Sequence, residues 1–372
     1  MRAFILLAAI AVASATIAPL HPAKERIPGR YIVSLKDGAD VNNFVTYVAT
    51  KLALQDIKLD IKFKYTTVLN GFAASLNDKA LNLIRSFPEV EYVEEDGIAR
   101  TQAVSSWGLD RVNQRDLPLD DIVGHTSGNG ANAHAYIIDT GVNPSHSDFG
   151  GRATNDYGKE DCNGHGSHCA GTIGSATYGI ATGATIHGVQ VLGCLGSGSW
   201  SEVINGCDWV ANNHIKPAVA SLSLGGGSSP TVDRAMTRMR AAGVTVSVAA
   251  GNSDADACDY SPARSTDAIT VGATDSADIR AYFSNYGSCV DIFAPGVSIT
   301  STWKASRTDT DTTNTISGTS MACPHVSGVA ALHLSNNPSW THDEVSSQIL
   351  ADATPNKITD VMESPNLLLY AD

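Results

Sequence analysis

The segment around which the chain is organised reads Ser317-Gly-Thr-Ser-Met-Ala-Cys-Pro-His325, and a mostly apolar run follows it over residues 326–334. Small residues before an apolar run predict the start of a helix, and Pro324 suits a first helical turn, where a backbone N–H has no partner in any case. Ser320 would then lie among helix-end N–H groups, which together with the helix dipole favour negative charge. Such charge develops on oxygen during acyl transfer, so the segment predicts a nucleophilic serine.

A serine hydroxyl is a weak nucleophile by itself, so this prediction requires a histidine base and a carboxylate elsewhere. Upstream, the apolar stretch over residues 135–138 predicts a strand that ends at Asp139 before a Thr-Gly turn. The segment Asn163-Gly-His-Gly-Ser-His-Cys-Ala-Gly-Thr172 places His165 between two glycines at the start of a helix. Functional groups in parallel sheets lie at the carboxyl ends of the strands, so Asp139, His165 and Ser320 are candidates for one site.

The order Asp, His, Ser along the chain is that of the subtilisin arrangement, whereas α/β-hydrolases use Ser, Asp, His and a Gly-x-Ser-x-Gly motif that Ser320 lacks. Further segments agree in order between about residues 100 and 370. They are Trp107-Gly-Leu-Asp-Arg111, Ser221-Leu-Ser-Leu-Gly-Gly-Gly227, Ala249-Ala-Gly-Asn252, Tyr260-Ser-Pro-Ala263 and Phe283-Ser-Asn-Tyr-Gly-Ser288. On these segments the sequence resembles the subtilisin-like serine peptidases, specifically the proteinase K branch with its aqualysin-like members.

From residue 100 onward, strands rich in Val, Ile and Ala alternate with helical stretches. This pattern predicts an α/β fold with a mostly parallel sheet and helices on both faces, as the subtilisin-like resemblance also implies for residues 100–372. The predicted strands cover residues 135–138, 185–191, 218–223, 244–249, 268–271 and 290–293.

Residues 1–15 contain a basic residue, a short apolar core and an Ala13-x-Ala15 motif, which predict a secretory signal peptide. We therefore expect a secreted, extracellular protein. No other stretch is apolar enough to span a bilayer, so no membrane partner is expected.

Residues 16–99 are predicted to be a separate small domain. Apolar residues alternate near residues 31–35, 61–65, 72–76 and 90–93, and recur at helical spacing over residues 41–52 and 79–86. The resulting β-α-β-β-α-β order predicts a ferredoxin-like α+β fold. It resembles the family's inhibitory propeptide, which implies assistance in folding and a C-terminal tail, near residues 93–98, that fills the substrate cleft until a cut near Ala99–Arg100. The alternative is a permanent accessory domain.

The resemblance assigns a role to each catalytic candidate. Ser320 would attack the peptide carbonyl, His165 would take its proton and return it to the leaving amine, and Asp139 would orient the imidazole. Asn252 matches the side-chain donor that, with the Ser320 N–H, holds the developing oxyanion. The alternative for Asn252 is a turn former after Gly251.

An extended peptide substrate is expected to bind as an added strand between two edges. The residues that the resemblance implies are Gly196, Ser197 and Gly198 on one edge and Ser223, Leu224 and Gly225 on the other, with Ala249 and Gly251 at the specificity pocket. The turn Tyr260-Ser-Pro262 should lie nearby. These segments contain no Asp or Glu that would favour a basic side chain, so we expect broad cleavage after apolar and aromatic residues.

Seven cysteines are an odd number for a secreted chain. The resemblance implies one disulfide between Cys162 and Cys194 and another between Cys258 and Cys289. Cys169 and Cys323 would be buried free thiols used for packing, with cysteine catalysis as the alternative. Cys207 could be free or could pair with another molecule.

Two other functions are open. His165-x-x-His168 with Cys162, Cys169 or Asp139 could form a zinc set, although His-Glu-x-x-His is absent and Ser320 would be unexplained. His168 and His325 are otherwise expected to be structural. A catalytically inactive relative that acts as a binding or inhibitory protein is the second possibility.

We expect no cofactor in catalysis but structural calcium, because oxygen-only ligand sets suit this ion. One set that the resemblance implies is Asp291 with backbone oxygens of Thr266 and Ala268, and the other is Asp110, Gln114 and Asp120. Asn113 stands where relatives carry an acid, which puts the affinity of the second set in doubt. Ordinary surface acids are the alternative for both sets.

The chain carries a net charge of −13. The first 99 residues hold 11 basic and 11 acidic residues. The remaining 14 basic and 27 acidic residues therefore give residues 100–372, the predicted mature enzyme, the whole net negative charge. This charge disfavours nucleic acid as a partner. Protein substrates and its own propeptide are the expected partners of a monomer.

Overall fold

The structure is a computed structural model that describes residues 17–371, except residues 24–25, 56, 58, 101–106, 121, 123, 125–126 and 307 and the side chains of residues 99–100. The predicted signal peptide, residues 1–15, lies outside the described residues.

The N-terminal domain has the predicted strand and helix order and one additional short strand. Its elements are β1 (Leu20–His21), β2 (Arg26–Leu35), α1 (Val41–Ala53), β3 (Asp60–Tyr65), β4 (Gly71–Ser75), α2 (Asp78–Arg85) and β5 (Val90–Arg100). The sheet order is β1-β5-β2-β4-β3, with β1 parallel to β5 and the other neighbours antiparallel.

The two faces of this sheet are both apolar, and they have different neighbours. Tyr31 and Val33 on β2 pack with the helices of the same domain. Ile32 and Ala73 face the other way and share a core with the helix over Trp200–Asn213 of the following domain. Because side chains alternate along a strand, one strand contributes to both cores.

The second domain is the α/β unit. Its strands are β6 (His134–Asp139), β7 (Ala153–Tyr157), β8 (Thr185–Gln190), β9 (Ser197–Ser199), β10 (Ala218–Leu222), β11 (Gly226–Gly227), β12 (Val244–Ala249), β13 (Tyr260–Ser261), β14 (Ile269–Thr274), β15 (Ile292–Pro295), β16 (Ile299–Thr302), β17 (Thr313–Ile316), β18 (Thr354–Pro355) and β19 (Leu367–Leu368). Its helices are α3 (Gly108–Val112), α4 (His165–Gly174), α5 (Trp200–Asn213), α6 (Pro230–Ala242), α7 (Thr319–Asn336) and α8 (His342–Asp352).

Nine strands form the main sheet in the order β18-β19-β15-β14-β12-β10-β6-β8-β7. All neighbouring pairs are parallel except β18 with β19. Each of the six predicted strands is present. On one side α4 and α7 share a core with the sheet, and on the other side α5 and α6 do so. This arrangement confirms the predicted α/β fold class.

The last strand of the N-terminal domain continues into the second domain. Ile98, Ala99 and Arg100 of β5 pair antiparallel with Ser199, Gly198 and Ser197 of β9. The two domains therefore share one six-stranded sheet.

In the described part of the chain, no helix is both long and apolar enough to cross a membrane.

Candidate active site

Asp139 is the last residue of β6 and is completely buried. His165 Nδ1 lies 2.8 Å from Asp139 Oδ1 and 3.0 Å from Oδ2, and the backbone N–H of Thr140 donates to Oδ1 at 2.7 Å. A carboxylate acceptor at Nδ1 fixes the tautomer and the orientation of the imidazole, so the role of base falls to Nε2.

His165 begins α4, directly after Gly164. Gly164 has φ 107°, and a Cβ there would lie 2.3 Å from Cε2 of Trp303, so only glycine fits before the histidine. Burial is the largest single effect and lowers the pKa of His165, but the charge and hydrogen bond of Asp139, together with those of Cys169, outweigh it and hold that pKa well above its ordinary value. The site therefore stabilises the imidazolium that would form when His165 accepts a proton.

Ser320 is the second residue of α7, so its backbone N–H belongs to the first helical turn. Its Oγ donates to the carbonyl oxygen of Ser223 at 2.9 Å. The predicted helix is present, but it begins five residues before Pro324. The placement of Pro324 in the first turn was therefore wrong.

Pro324 has a specific consequence inside α7. It has no N–H for the carbonyl of Ser320, four residues earlier. That carbonyl instead accepts from Ser223 Oγ at 2.9 Å and from Cys169 Sγ at 3.4 Å. The missing helical bond is thus replaced by side chains that tie the first turn of α7 to β10 and α4.

The side chain of Asn252 is held through its amide oxygen, which accepts two hydrogen bonds. Its Oδ1 accepts from the backbone N–H of Thr319 at 2.9 Å and from Thr319 Oγ1 at 2.6 Å. Because Oδ1 is occupied in this way, the amide nitrogen is the end that can donate to a reacting group. Asn252 and Ser320 line the same pocket.

That pocket lies where the specificity pocket was predicted, and the described residues lining it include no charged side chain. It contains Leu224, Gly225, Ala249 and Gly251 from the predicted set, and Tyr260 and Ser261 from the predicted turn. Ile98 of β5 lines it as well. Ser223 lies beside Ser320, as described above.

The two edges predicted to bind substrate both contact β5. Ser197 and Gly198 of β9 pair with it, as expected, and Gly196 precedes β9 with φ 72°. On the other side, a Cβ at Gly226 would lie 2.8 Å from the Ile98 carbonyl oxygen and 2.7 Å from Cζ2 of Trp200. Trp200 also packs against Gly97 of β5 and was not predicted from the sequence.

Comparison with known families agrees with this geometry. Residues 135–366 match the model of the subtilase family. The chain belongs to the subtilase family. Residues 30–102 match the model of peptidase inhibitor I9. The chain is therefore a subtilisin-like serine peptidase with an N-terminal inhibitor domain.

Individual relatives show the same similarity over nearly the whole chain. The extracellular serine proteinase of Thermus sp. strain Rt41A is 51% identical over 375 residues, which cover 94% of this chain and 90% of that protein. Proteinase R of Parengyodontium album is 44% identical, covering 84% and 81%. The crystal structure of a cold adapted subtilisin-like serine proteinase has a TM-score of 0.69 and 49% identity, covering 72% of this chain and 98% of that one.

This subtilase contains both expected disulfides, Cys162–Cys194 and Cys258–Cys289. The remaining cysteines, Cys169, Cys207 and Cys323, are free and completely buried, so Cys207 cannot reach another molecule in this structure. Burial raises the pKa of all three thiols, which keeps them protonated and disfavours cysteine catalysis.

A zinc set that uses Cys162, or both His165 and His168, does not fit the subtilase site, although Asp139, His165 and Cys169 place one ligand atom each within 4.8 Å of one another. Cys162 is in a disulfide, and His168 Nε2 bonds the carbonyl of Ile299 at 2.9 Å. Burial lowers the pKa of His168 to about 3, as suits a neutral structural histidine. His325 Nδ1 contacts the Met321 carbonyl at 2.7 Å, again a structural position.

The calcium candidates of this subtilase are separate from its catalytic residues. Asp291 Oδ2 accepts from the N–H of Thr270, at 2.8 Å, and Thr266 and Ala268 lie just before β14. Burial raises the pKa of Asp291 to about 6.

In the second set, Gln114 Oε1 accepts from the Asp120 N–H at 3.2 Å, and Asp110 lies four residues before Gln114, on α3. The structure thus brings Gln114 and Asp120 into contact.

Proposed function

We propose that this subtilase is a secreted, monomeric endopeptidase that acts outside the cell and removes its own propeptide. The observation that carries the proposal is the Asp139–His165 pair beside a helix-end serine, in a cleft filled by the inhibitor strand. The extracellular Thermus relative and the predicted signal peptide support the location. No cofactor is needed for this chemistry.

In the proposed mechanism, Ser320 Oγ leaves the Ser223 carbonyl and passes its proton to His165 as it attacks the substrate carbonyl. Asp139 stabilises the resulting imidazolium, and the raised pKa of His165 supports this role. The Ser320 N–H and the Asn252 amide hold the oxyanion. His165 then protonates the leaving amine, and water hydrolyses the acyl-enzyme by the reverse sequence.

Substrate would bind as a strand between β9 and residues 223–226, in the position that β5 occupies. The pocket beside Ser320 is lined by small and apolar residues and by the Tyr260 ring, without a charged group. We propose a preference for apolar and aromatic residues before the scissile bond.

The pairing of β5 also bears on the propeptide boundary. β9 runs away from Cys194, whose carbonyl accepts from the Asn163 side chain in the His165 loop, at 3.0 Å. Because β5 is antiparallel to β9, it approaches His165 as its residue numbers rise, and Arg100 still pairs with Ser197. We therefore propose that the cut follows Arg100, a little beyond the sequence-based estimate at Ala99–Arg100.

Asp291 is proposed to hold structural calcium with the backbone oxygens of Thr266 and Ala268. A largely enclosed carboxylate that forms no ion pair with any described lysine or arginine fits a divalent cation. Asp110, Gln114 and Asp120 are proposed as a second, weaker site. Calcium would stabilise loops and take no part in catalysis.

The test compares the full chain with Ser320→Ala and with Ser327→Ala. Ser327 lies on the same helix and donates to the Cys323 carbonyl at 3.2 Å, so it is a matched control. Wild type and Ser327→Ala should lose the residues up to and including Arg100, and both should cleave a chromogenic peptide ending in Phe. Ser320→Ala should keep its propeptide and be inactive. Peptidase activity in Ser320→Ala would refute the assignment of the nucleophile.

A further inference from the structure

A second acid, Asp161, lies in the loop before His165 and is almost completely buried. Its Oδ1 accepts from the backbone N–H groups of Asn163 and Gly164, both at 2.8 Å. Its Oδ2 accepts from the backbone N–H of Ser167 at 2.9 Å and from Ser167 Oγ at 2.7 Å. One carboxylate therefore holds the backbone on both sides of His165.

The same carboxylate reaches the strand that carries Asp139. Thr140, the next residue after Asp139, donates from Oγ1 to Asp161 Oδ1 at 3.0 Å. Thr140 Oγ1 in turn accepts from the backbone N–H of Gly166 at 2.9 Å. The end of β6 and the start of α4 are thus joined through a single side-chain network.

No described lysine or arginine forms an ion pair with Asp161. The nearby Lys304 instead binds Asn143 Oδ1 at 3.0 Å and Glu160 Oε2 at 3.3 Å. The partners of Asp161 are N–H and O–H donors, three of them backbone groups in or beside the first turn of α4. Such an arrangement fixes geometry more than it balances charge.

We propose that Asp161 is a positioning residue: it sets the distance and angle between His165 and Asp139, and through them the basicity of the imidazole. This inference rests on the proposed triad. If the network loosens, the bond from His165 Nδ1 to Asp139 weakens, and the imidazolium loses part of its stabilisation. Substrate contacts at β9 and at residues 223–226 are left in place, so the loss falls on kcat and leaves KM nearly unchanged.

The direct test is Asp161→Asn in the full chain. Asparagine keeps the shape, but its NH2 group must face N–H or O–H donors on one side. We expect kcat to fall about 100-fold with KM within about twofold, because small displacements of catalytic groups have effects of this size. The pKa of the acidic limb of the pH–rate profile, which reports His165, should also fall.

A milder pair of variants separates positioning from folding. Thr140→Val removes the hydroxyl at constant shape, and Thr140→Ser keeps it. We expect kcat to fall about fivefold to tenfold in Thr140→Val, which loses the hydrogen bonds to Asp161 and from Gly166, and to be close to the wild-type value in Thr140→Ser. If Asp161→Asn is not secreted as folded protein, this pair decides the question.

Asp148→Asn is the matched control. Asp148 also accepts from a backbone N–H and a hydroxyl, both of Thr177, but it lies near the opposite end of α4. The Asp148→Asn variant should change the melting temperature without shifting the pH–rate profile. The inference is overturned if Thr140→Val and any folded Asp161→Asn keep wild-type kcat and wild-type pH profiles. Activity in Ser320→Ala would instead refute the proposed function itself.

Discussion

The Glu94 side chain accepts a hydrogen bond from the backbone N–H of Thr231 at 3.0 Å, so an acid of the propeptide caps the first turn of α6. Two residues later on the same face of β5, Asp96 accepts from the backbone N–H of Ser201 at 2.9 Å and caps α5. Carboxylates at helix N-termini satisfy otherwise unpaired N–H groups and the helix dipole. The inhibitor domain is therefore docked by two buried acids as well as by its apolar face.

This docking should depend on pH. Burial raises the pKa of Glu94 from its ordinary value of 4.5 to about 7, and it raises the pKa of Asp96 as well. Because the complex binds more protons than its separated parts, affinity is greatest below about pH 4.5 and decreases as the pH rises to about 7. We expect the inhibition constant of the separate propeptide to weaken by about tenfold or more across this range.

Glu94→Gln should remove most of this pH dependence, because glutamine still accepts from Thr231 but does not titrate. Glu91→Gln is the control, since Glu91 lies on the same strand in an exposed ion pair with Arg234. Equal slopes for wild type and Glu94→Gln would show that other groups govern release.

Asn252 offers a test of the oxyanion site. Asn252→Ala removes the donor and the anchor at Thr319, whereas Asn252→Asp keeps an acceptor for Thr319 but replaces the donor with a carboxylate oxygen, whose negative charge also opposes the oxyanion. We expect kcat to fall about 10²–10³-fold in both variants, the size known for this donor in subtilisin itself, with little change in KM. Wild-type kcat in Asn252→Asp, measured after active-site titration, would argue against the role.

Sequence patterns identified the elements whose apolar residues form a short run or recur at a regular period. The six buried strands were predicted because they are short runs rich in Val, Ile and Ala, and the two inhibitor helices because their apolar residues recur at helical spacing. The strand β7 was missed because it lies at the edge of the sheet, where it pairs with one strand only, and because its sequence, Ala-Thr-Asn-Asp-Tyr, is mostly polar on its exposed face. Pro324 was misplaced because the local signal for a first turn does not reveal that Ser223 and Cys169 can replace the lost bond.

The catalytic candidates could be predicted because their short motifs are contiguous in sequence. Contacts that join distant segments could not. Glu94 and Thr231 are 137 residues apart, and Trp200 meets Gly97 and Gly226 only in the fold. Asp161 gave a usable local signal, an acid just before a glycine-flanked histidine, but its hydrogen bonds to Thr140 and Ser167 required the structure.

The two disulfides close loops of nearly equal length and should differ in function. Their cysteines are 32 and 31 residues apart, so removal of either bond should destabilise the protein by about 3–4 kcal/mol. Cys162 precedes His165 by three residues, and Cys194 precedes Gly196 by two. We expect the Cys162→Ser, Cys194→Ser double variant to lower kcat as well as the melting temperature.

The Cys258→Ser, Cys289→Ser double variant serves as the control, because its disulfide lies away from the His165 loop. It should lower the melting temperature by a similar amount and leave kcat unchanged; because Cys258 precedes the pocket residue Tyr260 by two residues, any effect on substrate binding would fall on KM. A similar loss of kcat in both double variants would show that general stability, and not the position of the His165 loop, is responsible.

Calcium should stabilise the enzyme through Asp291, and the effect should depend on pH. Without the ion, burial raises the pKa of Asp291 to about 6, so the stability that this carboxyl contributes is lost as the pH rises from its ordinary value of 3.8 through about 6. Calcium binds the ionised carboxylate and should restore stability above about pH 6, with little effect well below it. Melting temperatures with calcium and with chelator, at pH 5 and pH 8, measure this difference.

Asp291→Asn should abolish the calcium-dependent rise at pH 8. Asp267→Asn should preserve it, because Asp267 lies in the same segment but is engaged by Arg240 and Thr237. If Asp291→Asn responds to calcium as wild type does, the ion is bound elsewhere, and loss of the response in Asp120→Asn would place it with Gln114 and Asp110. An effect of chelator on kcat at a temperature where the protein remains folded would contradict the purely structural role, because no described hydrogen bond or ion pair joins Asp291, Gln114 or Asp120 to Asp139, His165 or Ser320.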